Sequence, residues 1–124
     1  MPRPTGNRPT EHELSILMIL WRKSPLSIAE ILEQFSKHPA PAYSSILTAV
    51  RLMEKKGYIR HSKEGKAFLY SPVLKQERYQ RTELKKITDR FFGGSAFALA
   101  VNLVKDESLN ATERAQLKKI LENL

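Results

Sequence analysis

Apolar positions recur with the period of a helix in six segments of the chain and form short β-type runs in one region between them. Three of these helical segments begin with a capping box, in which a short polar residue is followed three positions later by glutamate. The capping boxes are Thr10/Glu13, Ser27/Glu30 and Asn110/Glu113. The pattern predicts three helices, a hairpin and three further helices.

The first predicted helix runs from Thr10 to about Lys23. Its early acidic residues, Glu11 and Glu13, are interpreted as first-turn charges that complement the helix dipole. The apolar face of this helix is predicted to consist of Leu14, Leu17, Met18 and Trp21. The second helix follows Ser27, and its buried face is predicted to consist of Ile28, Ile31, Leu32 and Phe35.

A third helix is predicted from Tyr43 to Lys56, with Gly57 just beyond its end. Its inner face consists of Ile46, Ala49, Val50 and Met53. The side chains predicted to face outward are small and polar at the start of the helix and basic later: Tyr43, Ser44, Ser45, Thr48, Arg51 and Lys55. Leu52 also falls near this outer face, and as an apolar residue it is an exception to the polar and basic pattern there.

Residues 58–62 and 67–71 are β-type runs on either side of a glycine-containing turn, which predicts a hairpin. Three helices and a hairpin within about seventy residues are typical of a winged helix-turn-helix, whose third helix lies in the DNA major groove. The outward residues of the third helix are therefore candidate DNA contacts. Lys63 and Lys66, on either side of the turn, would reach phosphates from the wing. Two alternatives remain: Ser44 or Ser45 caps the helix, and the lysines are ordinary solvated side chains.

The charge distribution supports a polyanionic partner. The 124-residue chain has a formal net charge of +8. Residues 51–86 carry eleven basic and four acidic side chains, a net charge of +7. A patch that faces phosphates accounts for this concentration, as does a solvated surface that is merely basic. A winged-helix module that binds an acidic protein is the alternative function.

Enzymatic and metal-dependent functions find no support in the residues. The chain contains no cysteine, which excludes disulfides, thiolate metal sites and a cysteine nucleophile. The histidines His12, His38 and His61 lie in different predicted elements without metal-ligand spacing. No catalytic residue, metal or cofactor is predicted. Because residues 1–8 do not resemble a signal peptide and no apolar run could span a bilayer, we expect a cytoplasmic protein.

The last fifty residues contain more apolar surface than so short a segment can bury. We predict a homodimer through a stripe formed by Leu84, Ile87, Phe91, Phe97, Val101, Val104, Leu117, Ile120, Leu121 and Leu124. Packing of this stripe onto the first helix is the alternative. The predicted organisation is a flexible tail (1–9), a winged-helix DNA-binding domain (10–73) and a helical dimerisation region (74–124). A dimer would match a palindromic operator with half-sites about 10 bp apart, or a multiple of that.

Residues 42–51 and 54–57 resemble the recognition-helix signature of the penicillinase-repressor family, the BlaI/MecI/CopY-type regulators. Residues 11–21 are similar to the start of that family, and residues 63–72 to its wing. Residues 91–95 and 109–113 resemble its C-terminal dimerisation region. The resemblance covers about residues 9–124 and rests on motifs in the right order and spacing.

The resemblance implies a dimeric bacterial repressor that binds a palindromic operator. In antibiotic-responsive members of the family, a membrane sensor with a zinc protease domain leads to cleavage of the repressor at an Asn-Phe bond. The matching pair here is Asn102-Leu103, in which leucine replaces phenylalanine. The copper-responsive branch uses a C-terminal cysteine cluster, which this chain lacks. Leu52 stands where relatives often carry a basic residue, which implies a weaker backbone contact.

Overall fold

The computed structural model describes residues 8–35, 40–106 and 108–124. Most of the predicted tail (residues 1–7) and His38 therefore lie outside the described residues. The chain divides into two compact units, residues 1–79 and residues 80–124.

In the part of the chain that the structure describes, the fold is mainly α-helical with one β-hairpin, as predicted. The elements are α1 (Glu11–Arg22), α2 (Ile28–Glu33), α3 (Tyr43–Lys56), β1 (Ile59–Glu64), β2 (Ala67–Pro72), α4 (Gln76–Phe91), α5 (Ala96–Lys105) and α6 (Ala111–Glu122). All three predicted capping boxes are present, at the starts of α1, α2 and α6. Ser95 caps α5 by accepting a hydrogen bond from the Ala98 N–H group.

The hairpin is tighter than predicted. β1 and β2 are antiparallel, with Ile59 opposite Pro72 and Glu64 opposite Ala67, so the connecting turn has only two residues. Its first residue, Gly65, has a φ of 62°, the left-handed conformation that two-residue hairpin turns require at this position. Lys63 consequently lies within β1, and only Lys66 lies in the turn itself.

A bridge outside the hairpin ties it to the helices. Leu26, between α1 and α2, exchanges two backbone hydrogen bonds with Tyr70 of β2, at 2.8 and 3.1 Å. Side chains from α1, α2, α3 and the hairpin then share one hydrophobic core: Ile16, Leu17, Ile19, Leu20, Leu26, Ile28, Ile31, Ile46, Ala49, Val50, Met53, Tyr58, Ile59 and Tyr70. This core fixes α3 and the hairpin within one unit.

The predicted apolar face of α1 was partly wrong. Leu17 is buried and Trp21 is half-buried, but Met18 is 46% exposed. Ile16, Ile19 and Leu20 are buried instead. The reason is that α1 contacts α2, α3 and β2, so more than one stripe of the helix is covered. An apolar stripe with i, i+3, i+4 spacing is expected when only one side of a helix is buried, so it does not predict every buried residue of α1.

Glu13 lies in the first turn of α1, as predicted, but it does more than complement the helix dipole. Its side chain is only 3% exposed and forms an ion pair with Lys56 of α3 at 3.0 Å. The same carboxylate accepts the Thr10 N–H of the capping box at 2.9 Å. Because an unpaired buried carboxylate is costly, this pair connects the start of α1 firmly to the end of α3.

The second unit has almost no interior of its own. Among its described residues (80–106 and 108–124), only Thr88 is buried. Val101 and Val104 are half-buried, whereas the other members of the predicted stripe are exposed, with Phe97 at 79% and Leu124 at 95%. Arg114 of α6 donates to the Val104 carbonyl of α5 at 2.8 Å, which links these two helices.

Candidate nucleic-acid interface

The outer surface of α3 is set by its buried inner face. Ile46, Ala49, Val50 and Met53 are buried, as predicted, and the opposite side of the helix is therefore directed to solvent. The helix ends at Gly57, whose φ of 87° closes it with a left-handed residue. The six candidate DNA-contact residues of this helix are all exposed: Tyr43, Ser44, Ser45, Thr48, Arg51 and Lys55.

The alternative role for the two serines, capping of α3, is wrong. The residue at the N-cap is Ala42, and no side chain makes a capping hydrogen bond there. Ser44 and Ser45 lie inside the first turn, and both are exposed. Thr48 donates its hydroxyl hydrogen to the Ser44 carbonyl at 2.9 Å, which leaves its oxygen lone pairs and methyl group for a partner.

A groove of about 500 Å³ separates α3 from the hairpin. Arg51 from the middle of α3 and Lys66 from the turn both line it, together with Tyr43 at the start of the helix. Lys63 lies opposite Phe68 in the hairpin, and Phe68 also lines the groove. The structure therefore brings one basic residue of the helix, Arg51, and one of the turn, Lys66, to the same groove. Lys55 lies one turn further along α3 and is exposed.

Glu54 connects α3 to the wing across this groove. Its carboxylate accepts a hydrogen bond from the His61 N–H of β1 at 3.2 Å and contacts the His61 ring nitrogen Nδ1. The centroid of the His61 ring lies 4.6 Å from the centroid of the Phe68 ring and 5.9 Å from that of the Tyr70 ring. These contacts join the hairpin to α3 beside the groove.

Tyr70 forms the floor of the same groove. Burial raises the pKa of Tyr70 above its ordinary value, and the neighbouring Glu54 carboxylate raises it further. Arg51 acts in the opposite direction on that pKa. The phenol is neutral near pH 7 and adds no negative charge to the groove.

Sequence reasoning missed three residues near this surface. His12 of α1 lies 3.4 Å from the Ser45 hydroxyl, and it lines a second, shallower depression beside Ser44 and Thr48. Glu54 and His61 connect helix and wing. All three depend on contacts between elements far apart in sequence, which helical periodicity cannot reveal. For Glu54, being the only acidic residue of α3 was the available signal.

Within residues 8–35, 40–106 and 108–124, no three His, Asp or Glu side chains gather closely enough to hold a metal ion. No helix in that part of the chain has both the length and the apolar composition needed to cross a bilayer.

A helix with an exposed polar and basic face, packed on two shorter helices and followed by a basic two-stranded wing, defines the winged helix-turn-helix class of DNA-binding proteins. Within this class, the model of the penicillinase repressor family matches residues 9–123. The chain belongs to the penicillinase repressor family. This is a family of transcription regulators, so the prediction that the chain is a regulator and not an enzyme is confirmed.

Individual relatives are similar over most of their length. The penicillinase repressor of Bacillus licheniformis is 26% identical over 113 residues, which are 91% of this chain and 88% of the relative. The methicillin resistance regulatory protein MecI of Staphylococcus aureus is 26% identical over 109 residues, 88% of this chain and 89% of MecI. The structure of monomeric B. licheniformis BlaI in complex with the blaP half-operator superposes with a TM-score of 0.51 at 26% identity. It covers 64% of this chain and 94% of that chain.

Proposed function

We propose that this protein is a dimeric transcriptional repressor that recognises a palindromic operator through α3 and the hairpin. The observation that carries the proposal is the shared groove, in which Arg51 of α3 and Lys66 of the turn face the same space. A B-DNA major groove is wide enough to admit one helix, and a wing beside it can contact the flanking backbone. The structure of BlaI in complex with a half-operator supports DNA as the partner of this chain.

The outward residues of α3 divide into two chemical groups. Ser44, Ser45 and Thr48 are short hydroxyl side chains near the start of the helix, where a close approach to base edges is possible. Arg51 and Lys55 lie further along and carry full charges toward phosphates or guanine edges. Substitutions in the first group are therefore expected to change sequence preference, and substitutions in the second group to weaken binding to all sequences.

The proposed function also explains where the net charge lies. Segment 51–86, with its net charge of +7, begins on α3, passes through the hairpin and continues into α4. Each phosphate that a lysine or arginine neutralises releases counterions and adds about 0.9 to the steepness of the salt dependence of binding. We therefore expect affinity to fall steeply as the salt concentration rises.

The test uses duplexes selected by the wild-type protein from a random library, with binding measured by fluorescence anisotropy at several salt concentrations. Arg51→Ala and Lys66→Ala should each weaken binding, roughly tenfold for the arginine, and should flatten the salt dependence. Lys118→Ala is the matched control, because it removes an equal charge from an exposed position of α6. Equal losses in all three variants, or no selected sequence at all, would contradict the proposed site.

Dimerisation is supported by the exposed apolar surface of the second unit. Phe91 of α4, Phe97 of α5 and Leu121 of α6 are all more than half exposed in the single chain. Such a large unpartnered apolar surface is typical of a face that a second copy covers. Two copies would present two α3 helices, which matches a palindrome with half-sites about 10 bp apart or a multiple of that.

Sedimentation equilibrium tests this part of the proposal. Wild-type protein should sediment as a dimer, and Leu121→Asp should shift it toward monomer because a charge would be buried in the apolar face. Met18→Asp is the control, since Met18 is exposed on α1. A wild-type monomer at high micromolar concentration would exclude the dimer while leaving the DNA-binding proposal intact.

Inactivation by cleavage at Asn102-Leu103 is a further part of the proposal. Both residues lie inside α5, where the Asn102 side chain donates to the Ala98 carbonyl at 2.9 Å, and both are exposed. Cleavage there would remove α6 and half of the apolar stripe. The two DNA-binding domains would then no longer be linked, so binding at one half-site would no longer raise the effective concentration of protein at the other. A chain truncated after Asn102 should be monomeric and should bind the selected duplex about a hundredfold more weakly. Unchanged affinity would refute this mechanism.

A further inference from the structure

Leu52 is an apolar side chain on a surface that is otherwise polar and basic. It lies on α3 and is 46% exposed, so it contributes little to the core. Ser45, Thr48 and Leu52 are spaced at i, i+3 and i+7, which places them in one stripe of the helix. Arg51, its neighbour in sequence, lines the groove on the wing side. Leu52 therefore lies on the same outer stripe of α3 as Ser45 and Thr48, two of the candidate DNA contacts, on the side of the helix away from the wing.

A depression beside Leu52 can receive a small apolar group. Leu52 lines a shallow concavity of about 440 Å³ together with Ser45, Thr48 and His12. Leu52 has no hydrogen-bonding atom in its side chain, so it cannot form a hydrogen bond with a phosphate or with the polar edge of a base. The C5-methyl group of thymine is the one apolar group that base edges present in the major groove.

We propose that Leu52 is a specificity-determining residue that recognises the methyl group of a thymine in each operator half-site. The inference rests on the proposed function, because it requires α3 to lie in the major groove. It adds to that function the identity of one base and the chemical group by which that base is read. Burial of one methyl group against Leu52 corresponds to about a fourfold gain in affinity.

The experiment removes single methyl groups from the DNA. The duplex selected from a random library by the wild-type protein is resynthesised with deoxyuridine in place of thymine, one position at a time. Base pairing is preserved, and only the C5-methyl group is removed. For the wild-type protein, each half-site should contain one position at which a single deoxyuridine weakens binding about fourfold. In Leu52→Ala, the same substitution should have no effect, whereas Leu52→Met should remain sensitive.

Met18→Ala is the matched control. Met18 is also 46% exposed, but it lies on α1, so its removal deletes a similar apolar side chain outside the α3 surface. This variant should respond to deoxyuridine as wild type does. Circular dichroism verifies that all variants are folded. Substitution of an exposed side chain is expected to change the free energy of unfolding by only about 0.5 kcal/mol.

The outcomes separate this inference from the function on which it rests. If the wild-type protein is indifferent to deoxyuridine at every position, or if Leu52→Ala keeps the full wild-type sensitivity, the role of Leu52 is refuted and the repressor proposal stands. If no duplex is enriched in the selection, the repressor proposal itself fails before any deoxyuridine is introduced. A methyl effect that Leu52→Ala abolishes and Met18→Ala preserves supports the inference.

Discussion

Lys55 and Lys56 are adjacent on α3 and have identical charges, yet the structure assigns them different roles. The Lys55 side chain is exposed on the outward face of the helix. The Lys56 ammonium group lies 3.0 Å from the Glu13 carboxylate, with side-chain exposures of 23% for Lys56 and 3% for Glu13. Replacing each lysine separately by methionine changes the net charge equally, so any difference between the two variants reflects position alone.

The expected difference in stability follows from burial. Removal of one partner from a buried ion pair costs about 3–5 kcal/mol, because the remaining charge is left without compensation. Lys56 is partly exposed, so water can compensate in part, and we expect Lys56→Met to lower the free energy of unfolding by about 2–3 kcal/mol. For a unit of this size, that corresponds to a fall in Tm of roughly 10 °C or more. Lys55→Met should stay within about 0.5 kcal/mol of wild type.

Thermal and urea denaturation, followed by circular dichroism, measure the stability of both variants. For DNA binding, we expect Lys55→Met to have the larger effect of the two substitutions. Lys55→Met should flatten the salt dependence by about 0.9, because one phosphate is no longer neutralised, while folded Lys56→Met retains the wild-type slope. Adding Glu13→Gln to Lys56→Met should recover part of the stability, because the uncompensated charge is then removed. Equal destabilisation by the two lysine substitutions would refute the assignment.

Three further predictions concern the turn of the wing, the buried phenol of Tyr70 and the N-terminal cap of α2. Gly65→Ala should destabilise the hairpin by about 1 kcal/mol in thermal denaturation, since a φ of 62° is unfavourable for alanine, and Gly65→Asn should cost less. Burial raises the pKa of Tyr70, so the native chain retains a proton that the unfolded chain releases. The free energy of unfolding should therefore fall as the pH rises above about 10, and the fall should be smaller in Tyr70→Phe. Ser27→Ala should cost about 1 kcal/mol through loss of the α2 capping box, and an unchanged urea midpoint would contradict this.

Local signals predicted most of the fold because they act within a few residues. The capping boxes located the starts of α1, α2 and α6, and the spacing of Ile46, Val50 and Met53 identified the buried side of α3. These features depend on backbone hydrogen bonds and helical geometry, which the adjacent sequence determines.

Contacts between distant elements could not be predicted in the same way. The Glu13–Lys56 pair, the Leu26–Tyr70 bridge and the Glu54–His61 contact depend on how the helices pack. The exposure of Met18 has the same origin, because several elements cover α1 and displace the buried stripe. Within the candidate interface, the sequence predicted which residues of α3 face outward, but not the contacts that join the wing to α3.

The most direct test of the central claim is hydroxyl-radical footprinting of the full-length protein on its selected duplex. We predict two protected half-sites, about 10 bp apart or a multiple of that, related by a two-fold axis, with protection extending to the backbone that the wing contacts. Arg51→Ala should lose this protection at protein concentrations where Lys118→Ala retains it. A uniform or absent footprint, or one that Arg51→Ala leaves unchanged, would contradict the proposal that α3 and the wing recognise operator DNA.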